Sequence, residues 1–141
     1  MSKAVLISIR PKWCDLIASG KKTVEVRKTK PNAILPLKCY IYQTLPKSGD
    51  WNERDGRIIG EFICHNIYPV CVGYIHGACL EYEEITNYLG ENGHGWGWHI
   101  SDLVIFDTPK KLSEFRRWAG WAETDKLSRP PQSWCYVEEL T

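Results

Sequence analysis

Short runs of β-forming residues, cut at irregular intervals by glycine, proline and two brief helical patterns, constrain this chain more than any other feature. Val5, Ile7 and Ile9 alternate with Leu6, Ser8 and Arg10, which predicts a first strand. Pro11 follows where a helix can begin, because its missing N–H costs nothing there. Trp13, Leu16 and Ile17 then recur at helical spacing, and Gly20 offers the left-handed stop. Residues 23–28, 37–44, 57–68, 98–107 and 134–140 read as further strands, with Gly60 a bulge or a close approach. Pro31 and Pro36 mark a loop, and residues 47–56 an exposed turn around Trp51. Residues 80–89 are predicted to form a short helix ended by Gly90, and residues 90–97 a glycine-rich loop. Leu112, Phe115 and Trp118 suggest one or two more helical turns. Strands and helices do not alternate regularly, which argues against a doubly wound sheet. The expectation is a small, mostly antiparallel barrel with two or three short helices, one domain over residues 1–141.

A chain of 141 residues, 43% hydrophobic and 25% charged, can bury one core without metals or disulfides and is not compositionally disordered. No apolar run approaches the roughly 18 to 20 residues that cross a bilayer. The N-terminus alternates where a signal peptide would place a charged region and an apolar core, so a cytoplasmic location away from membranes is expected. The six cysteines (Cys14, Cys39, Cys64, Cys71, Cys79 and Cys135) form no CxxC pair and resemble no secreted framework. Cys64 and His65 with Cys71 and Cys79 are the best available metal cluster; core thiols, with no metal and no cofactor, are the expectation. The glycines of GENGHGWG (residues 90–97) match neither a P-loop nor a dinucleotide fingerprint.

The net charge of +1 hides an asymmetry. Residues 1–30 carry eight Lys or Arg against Asp15 and Glu25, whereas residues 58–109 carry seven acids and no Lys or Arg. A basic end on a nearly neutral domain can attract a polyanion; a merely solvated basic face would give the same count.

The segment GKKTVEVR, residues 20–27, reads G-x-K-x-x-E-x-R between the first helix and the second strand. In that position it resembles the ASCH domain, a relative of the PUA fold. The opening ISIRPKWCDLIASGKKTVEVRKTKP is similar to small bacterial and phage members. The ordered segments CYIYQT, IIGEF, GWHISDL and RPPQSWCYVEEL extend the likeness along the chain. The resemblance implies an α+β, PUA-like barrel with a cleft beside the first helix, and a role in binding RNA or a nucleotide. Some relatives cleave RNA, and a compact group deacylates N4-acylated cytidine. In that group the lysine corresponds to Lys22, but a threonine stands where Glu25 stands here.

Glu25 and Arg27, two apart on a strand, share a face, and Lys22 sits at the turn before them. As a binding site, Lys22 and Arg27 would meet phosphate or carbonyl oxygens while Glu25 orients them or accepts from a base amino group. As a catalyst, Lys22 would serve as base or nucleophile and Glu25 would handle protons, in a metal-independent hydrolase. A surface salt-bridge network is the plain structural reading, and a non-catalytic protein–protein adaptor is a further alternative.

Of seven tryptophans, Trp13, Trp96, Trp98, Trp121 and Trp134 could stack on a base. Trp13 is favoured beside Arg10 and Lys12, and Trp98 after the glycine-rich loop. His94 and His99 lie in loop or strand-entry positions, His99 being the candidate base. Arg129, Gln132 and Ser133, in the proline-stiffened lead to the last strand, offer donors to the same cleft.

Overall fold

The computed structural model describes residues 2–71, 73, 75–90, 93–119 and 124–141. Eight strands and two helices appear in the order β1 (Lys3–Ile9), α1 (Pro11–Ala18), β2 (Val24–Arg27), β3 (Leu37–Gln43), β4 (Arg57–Cys64), β5 (Ile67–Cys71), α2 (Tyr82–Leu89), β6 (His94–His99), β7 (Ser101–Lys110) and β8 (Trp134–Glu138). The α+β class with mostly antiparallel strands holds. The strands divide into two sheets, ordered β7-β4-β3-β1-β8 and β2-β6-β5, so hydrogen bonding among the described residues does not close a single barrel. Among the described residues only β1 and β3 pair in parallel. No helix of the described residues is long and apolar enough to cross a membrane.

β1 is an interior strand of the larger sheet, between β3 and β8, and is buried on both faces. Val5, Ile7 and Ile9 meet Cys39, Ile41, Phe62 and Trp98 on one side. Ala4 and Leu6 meet Tyr40, Ile58, Phe115 and Val137 on the other. Pro11 opens α1 at its first turn, Cys14 and Ile17 face inward, and Gly20 at φ +83° turns the chain toward β2. Val24 and Val26 of β2 pack with Ile85 of α2 in a third cluster, leaving Glu25 and Arg27 to point the other way.

Three sequence expectations are corrected. The strand expected over residues 57–68 breaks at His65 and Asn66, where the chain passes from one sheet to the other. The strand expected over residues 98–107 breaks at Ile100 for the same reason: β6 belongs to the small sheet and β7 to the large one. His99 N–H donates to Asn66 C=O, and Ile63 pairs with Ser101, so both crossings share one corner. The loop expected over residues 90–97 is a strand from His94 onward. Its glycines serve close approach: a Cβ at Gly97 would lie 2.9 Å from the Tyr68 ring, and one at Gly95 2.9 Å from the Arg27 carbonyl oxygen. Beyond β7 the helical turns reduce to one 3-10 turn, Leu112–Glu114, and Arg116 and Arg117 then bridge to Lys126 and Val137.

Gly60 is both of the things its place in a strand suggested. The β3–β4 register slips beside it, and a Cβ there would stand 2.4 Å from the Val104 carbonyl oxygen. Because that neighbour is backbone in a paired strand, it cannot swing aside. Gly60→Ala should therefore cost about 1–3 kcal/mol, read as a lowered midpoint in chemical denaturation with an unchanged slope.

Candidate functional site

The end of α1 and the start of β2 deliver three charged side chains to one place. Lys22 lies in the turn after Gly20, and Glu25 and Arg27 lie on the face of β2 opposite its valines. Their side chains are only 1%, 7% and 11% exposed. Glu25 bridges the other two: Lys22 Nζ is 3.3 Å from Oε1, and Arg27 Nη2 donates to Oε2 at 2.7 Å.

All but one of the remaining donors are also committed. Arg27 Nε reaches Glu25 Oε2 at 3.3 Å, Nη2 also donates to the Ser8 carbonyl at 2.6 Å, and Nη1 donates to the Ser133 carbonyl and hydroxyl at 3.4 and 3.2 Å. All five guanidinium hydrogens thus have acceptors. Lys22 Nζ donates to the Ala78 carbonyl and lies 5.1 Å from the Trp13 ring centre, which leaves one ammonium hydrogen uncommitted. The triad therefore ties β2 to β1, to the loop before α2 and to the lead into β8.

A cleft of about 960 Å³ opens over it. Arg10, Trp13 and Ser8 form one wall, and Leu80, Glu84, Asn87 and Tyr88 of the α2 segment form the opposite one. Lys28, Thr29, Thr44, Gln132 and Ser133 complete the lining. Four cations (Arg10, Lys22, Arg27 and Lys28) stand against two carboxylates (Glu25 and Glu84), so the cleft carries a positive field. Burial pushes the Tyr88 phenol above its ordinary value, while the neighbouring Arg27 guanidinium and the Lys28 backbone N–H pull it back.

The structure brings Arg10, Trp13, Lys22, Glu25, Arg27, Gln132 and Ser133 together and separates the other candidates. Trp98, expected as a base stacker, is 0% exposed and packs edge-on against Trp134 in the core, so no base can reach it. Lys12 is 69% exposed, spans Trp13 and Glu84 outside the lining, and contacts both loosely, at 4.6 and 3.9 Å. His99 is exposed, paired with Ser101 Oγ at 2.9 Å and outside the cleft lining. Arg129 opens instead onto a smaller groove with Arg117 and Lys126. Trp96 is half-buried against the core beneath Lys30, and Trp134 donates its indole N–H to Thr29 Oγ1. Trp121 lies outside the described residues.

The α2 wall is what sequence reading missed. Glu84, Asn87 and Tyr88 recur at helical spacing beside the Tyr82, Ile85 and Leu89 stripe, but only the tertiary fold sets that face against β2.

All six cysteines are free. Cys14, Cys39 and Cys64 are buried thiols, and burial pushes Cys64 up to about 11 and Cys14 higher still, which suits packing and not nucleophilic attack. Among the described residues no group of three potential ligands could hold a metal ion.

Removing the central carboxylate strands two buried cations. Glu25→Ala should destabilise the protein by about 3–5 kcal/mol, with the conservative Glu25→Gln intermediate, measured by thermal and urea unfolding.

Residues 7–67 match the model of the ASCH domain. The fold is similar to that of crystal structures of an ASCH protein from Zymomonas mobilis. A tyrosine-to-phenylalanine variant gives a TM-score of 0.72 at 24% identity, covering 98% of this chain and 92% of that one. A serine-to-alanine variant gives 0.71 at 24%, covering 96% and 89%. A further ASCH structure from that organism gives 0.65 at 23%, covering 96% and 88%. No curated protein matches the sequence. Residues 7–67 thus match the ASCH domain model, and the chain as a whole shares the fold of those ASCH structures.

Proposed function

We propose that the cleft binds a nucleotide unit, free or within single-stranded RNA, with its base inside and its phosphate at the basic rim. One observation carries the reading: three charged side chains are buried and joined in one ion cluster at the floor of an open, positively charged cleft. A buried ionic cluster is weak evidence for stability, since apolar residues of similar size usually serve a core as well. At the floor of a cleft it supplies fixed geometry and a positive field instead. The volume suits a nucleotide, and Trp13 and Tyr88 on opposite walls offer ring faces to a base. Arg10 and Lys28 at the exposed rim are placed for phosphate oxygens.

The hydrolase alternative asks Lys22 to act as base or nucleophile with Glu25. Lys22 is surrounded by a carbonyl, a carboxylate and a ring face, all of which suit an ammonium donor, and both Glu25 oxygens are already engaged. That environment favours binding over covalent chemistry through Lys22.

Titration of the purified protein with nucleosides, nucleotides and short RNA at several salt concentrations tests the reading. Nucleotides should bind more tightly than their nucleosides, and RNA affinity should fall steeply with salt. Arg10→Ala and Lys28→Ala should each reduce the logarithmic salt slope by about one. Salt-independent binding, or identical slopes in both variants, would contradict a phosphate at the rim.

A further inference from the structure

We propose that the ligand's base is held by the backbone of β2 itself, through the free N–H and C=O of Val26; this deepens the base-binding reading above and rests on it. Pairing with β6 alternates along β2. The Ile100 N–H donates to the Thr23 carbonyl, while the Thr23 N–H donates to the Gly77 carbonyl; in the register that sets Glu25 opposite Trp98 and Arg27 opposite Trp96, residues 25 and 27 then turn their backbone groups to β6. The backbone groups of Val24, Val26 and Lys28 point to the other edge.

Val24 and Lys28 are both flanked. The Val24 N–H donates to the Gly77 carbonyl at 3.1 Å, and the Lys28 side chain lies against Tyr88, its Nζ 5.1 Å from the ring centre. Val26 lies between them, lines the cleft, and has no backbone or side-chain hydrogen-bond partner among the described residues. One donor and one acceptor, side by side on extended backbone, are thus offered to whatever enters.

The occupant's chemistry follows from the size of that gap. A peptide strand adding to a sheet edge needs several consecutive backbone pairs, and here Gly77 already takes the Val24 N–H on one side of Val26 while Tyr88 stands against Lys28 on the other. An anion would suit the N–H and be repelled by the C=O. A planar group with adjacent donor and acceptor fits both, as do the N3–H and O4 of uracil, the N1–H and O6 of guanine, and the amino group and ring nitrogen of cytosine or adenine. The backbone therefore grips a nucleobase by its pairing edge without choosing among the four. Choice falls to the side chains around it, Asn87, Gln132 and Ser133 being among the neutral hydrogen-bonding groups of the lining.

The test is amide NMR of the full chain titrated with the four nucleosides and with each one methylated on its pairing edge. Each unmodified nucleoside that binds should move the Val26 amide proton downfield and slow its exchange with solvent. Its methylated form should bind about tenfold or more weakly, as expected for two lost hydrogen bonds. Equal binding of methylated forms would overturn the proposal, as would an unmoved Val26 amide while the Ser133 and Asn87 signals shift, and either result would leave the cleft as a base site. Absence of any cleft response to every nucleoside would instead remove the base-binding reading and this inference with it.

Discussion

The ion cluster of Lys22, Glu25 and Arg27 is the constraint on which the rest of the site depends. Placing three charges at a nearly dry position is costly unless each hydrogen and lone pair finds a partner. The partners come from four separate parts of the chain: Ser8 at the end of β1, Ala78 before α2, Ser133 before β8, and β2 itself. Satisfying the charges therefore fixes where those segments meet, and the cleft is the space their meeting leaves. Its floor is rigid because the guanidinium has no hydrogen left to reorient.

The division of the strands into two sheets explains how such a floor can lie open. Both the β4–β5 and β6–β7 connections change sheets at one corner, marked by the Asn66–His99 bond. The small sheet packs on the large one through Trp98 and Trp96, and β2 is its edge strand, left to line the cleft with residues of α1, β1 and α2. The charge asymmetry of the chain becomes spatial there. The basic first 30 residues make the floor and one wall, and the acidic middle contributes Glu84 on the other. A polyanion would be drawn to the Arg10 side and held off the α2 side, which orients it on arrival.

Local patterns in the sequence carried the elements whose causes are local. Pro11 and Gly20 bracket α1 because proline suits a first turn and glycine a left-handed exit, and both act within a few residues. Glu25 and Arg27 were legible as neighbours because strand periodicity alone puts them on one face. What was not legible depends on long-range pairing. Trp98 looks like a base stacker after a glycine-rich stretch, yet those glycines let Tyr68 and Arg27 backbone pack close, which makes residues 94–99 an inner strand and buries the indole. The breaks at His65 and Ile100 leave no mark in hydrophobic periodicity, since both flanking strands are apolar and only sheet membership changes. The α2 wall shows its helical spacing plainly, but nothing within residues 82–89 says which strand the face of Asn87 and Tyr88 will meet.

A cluster that serves the cleft and not stability can be exchanged for apolar groups without loss of folding free energy. Replacing all three members together with apolar residues of similar length, in the variant Lys22→Met, Glu25→Leu and Arg27→Met, tests this most directly. Urea unfolding and nucleotide titration would be run on that variant and the parent chain. Stability equal to or above the parent, with nucleotide binding lost, is the expected result. A variant that unfolds several kcal/mol more easily, as core charge pairs broken one at a time do, or one that binds nucleotide as the parent does, would contradict it.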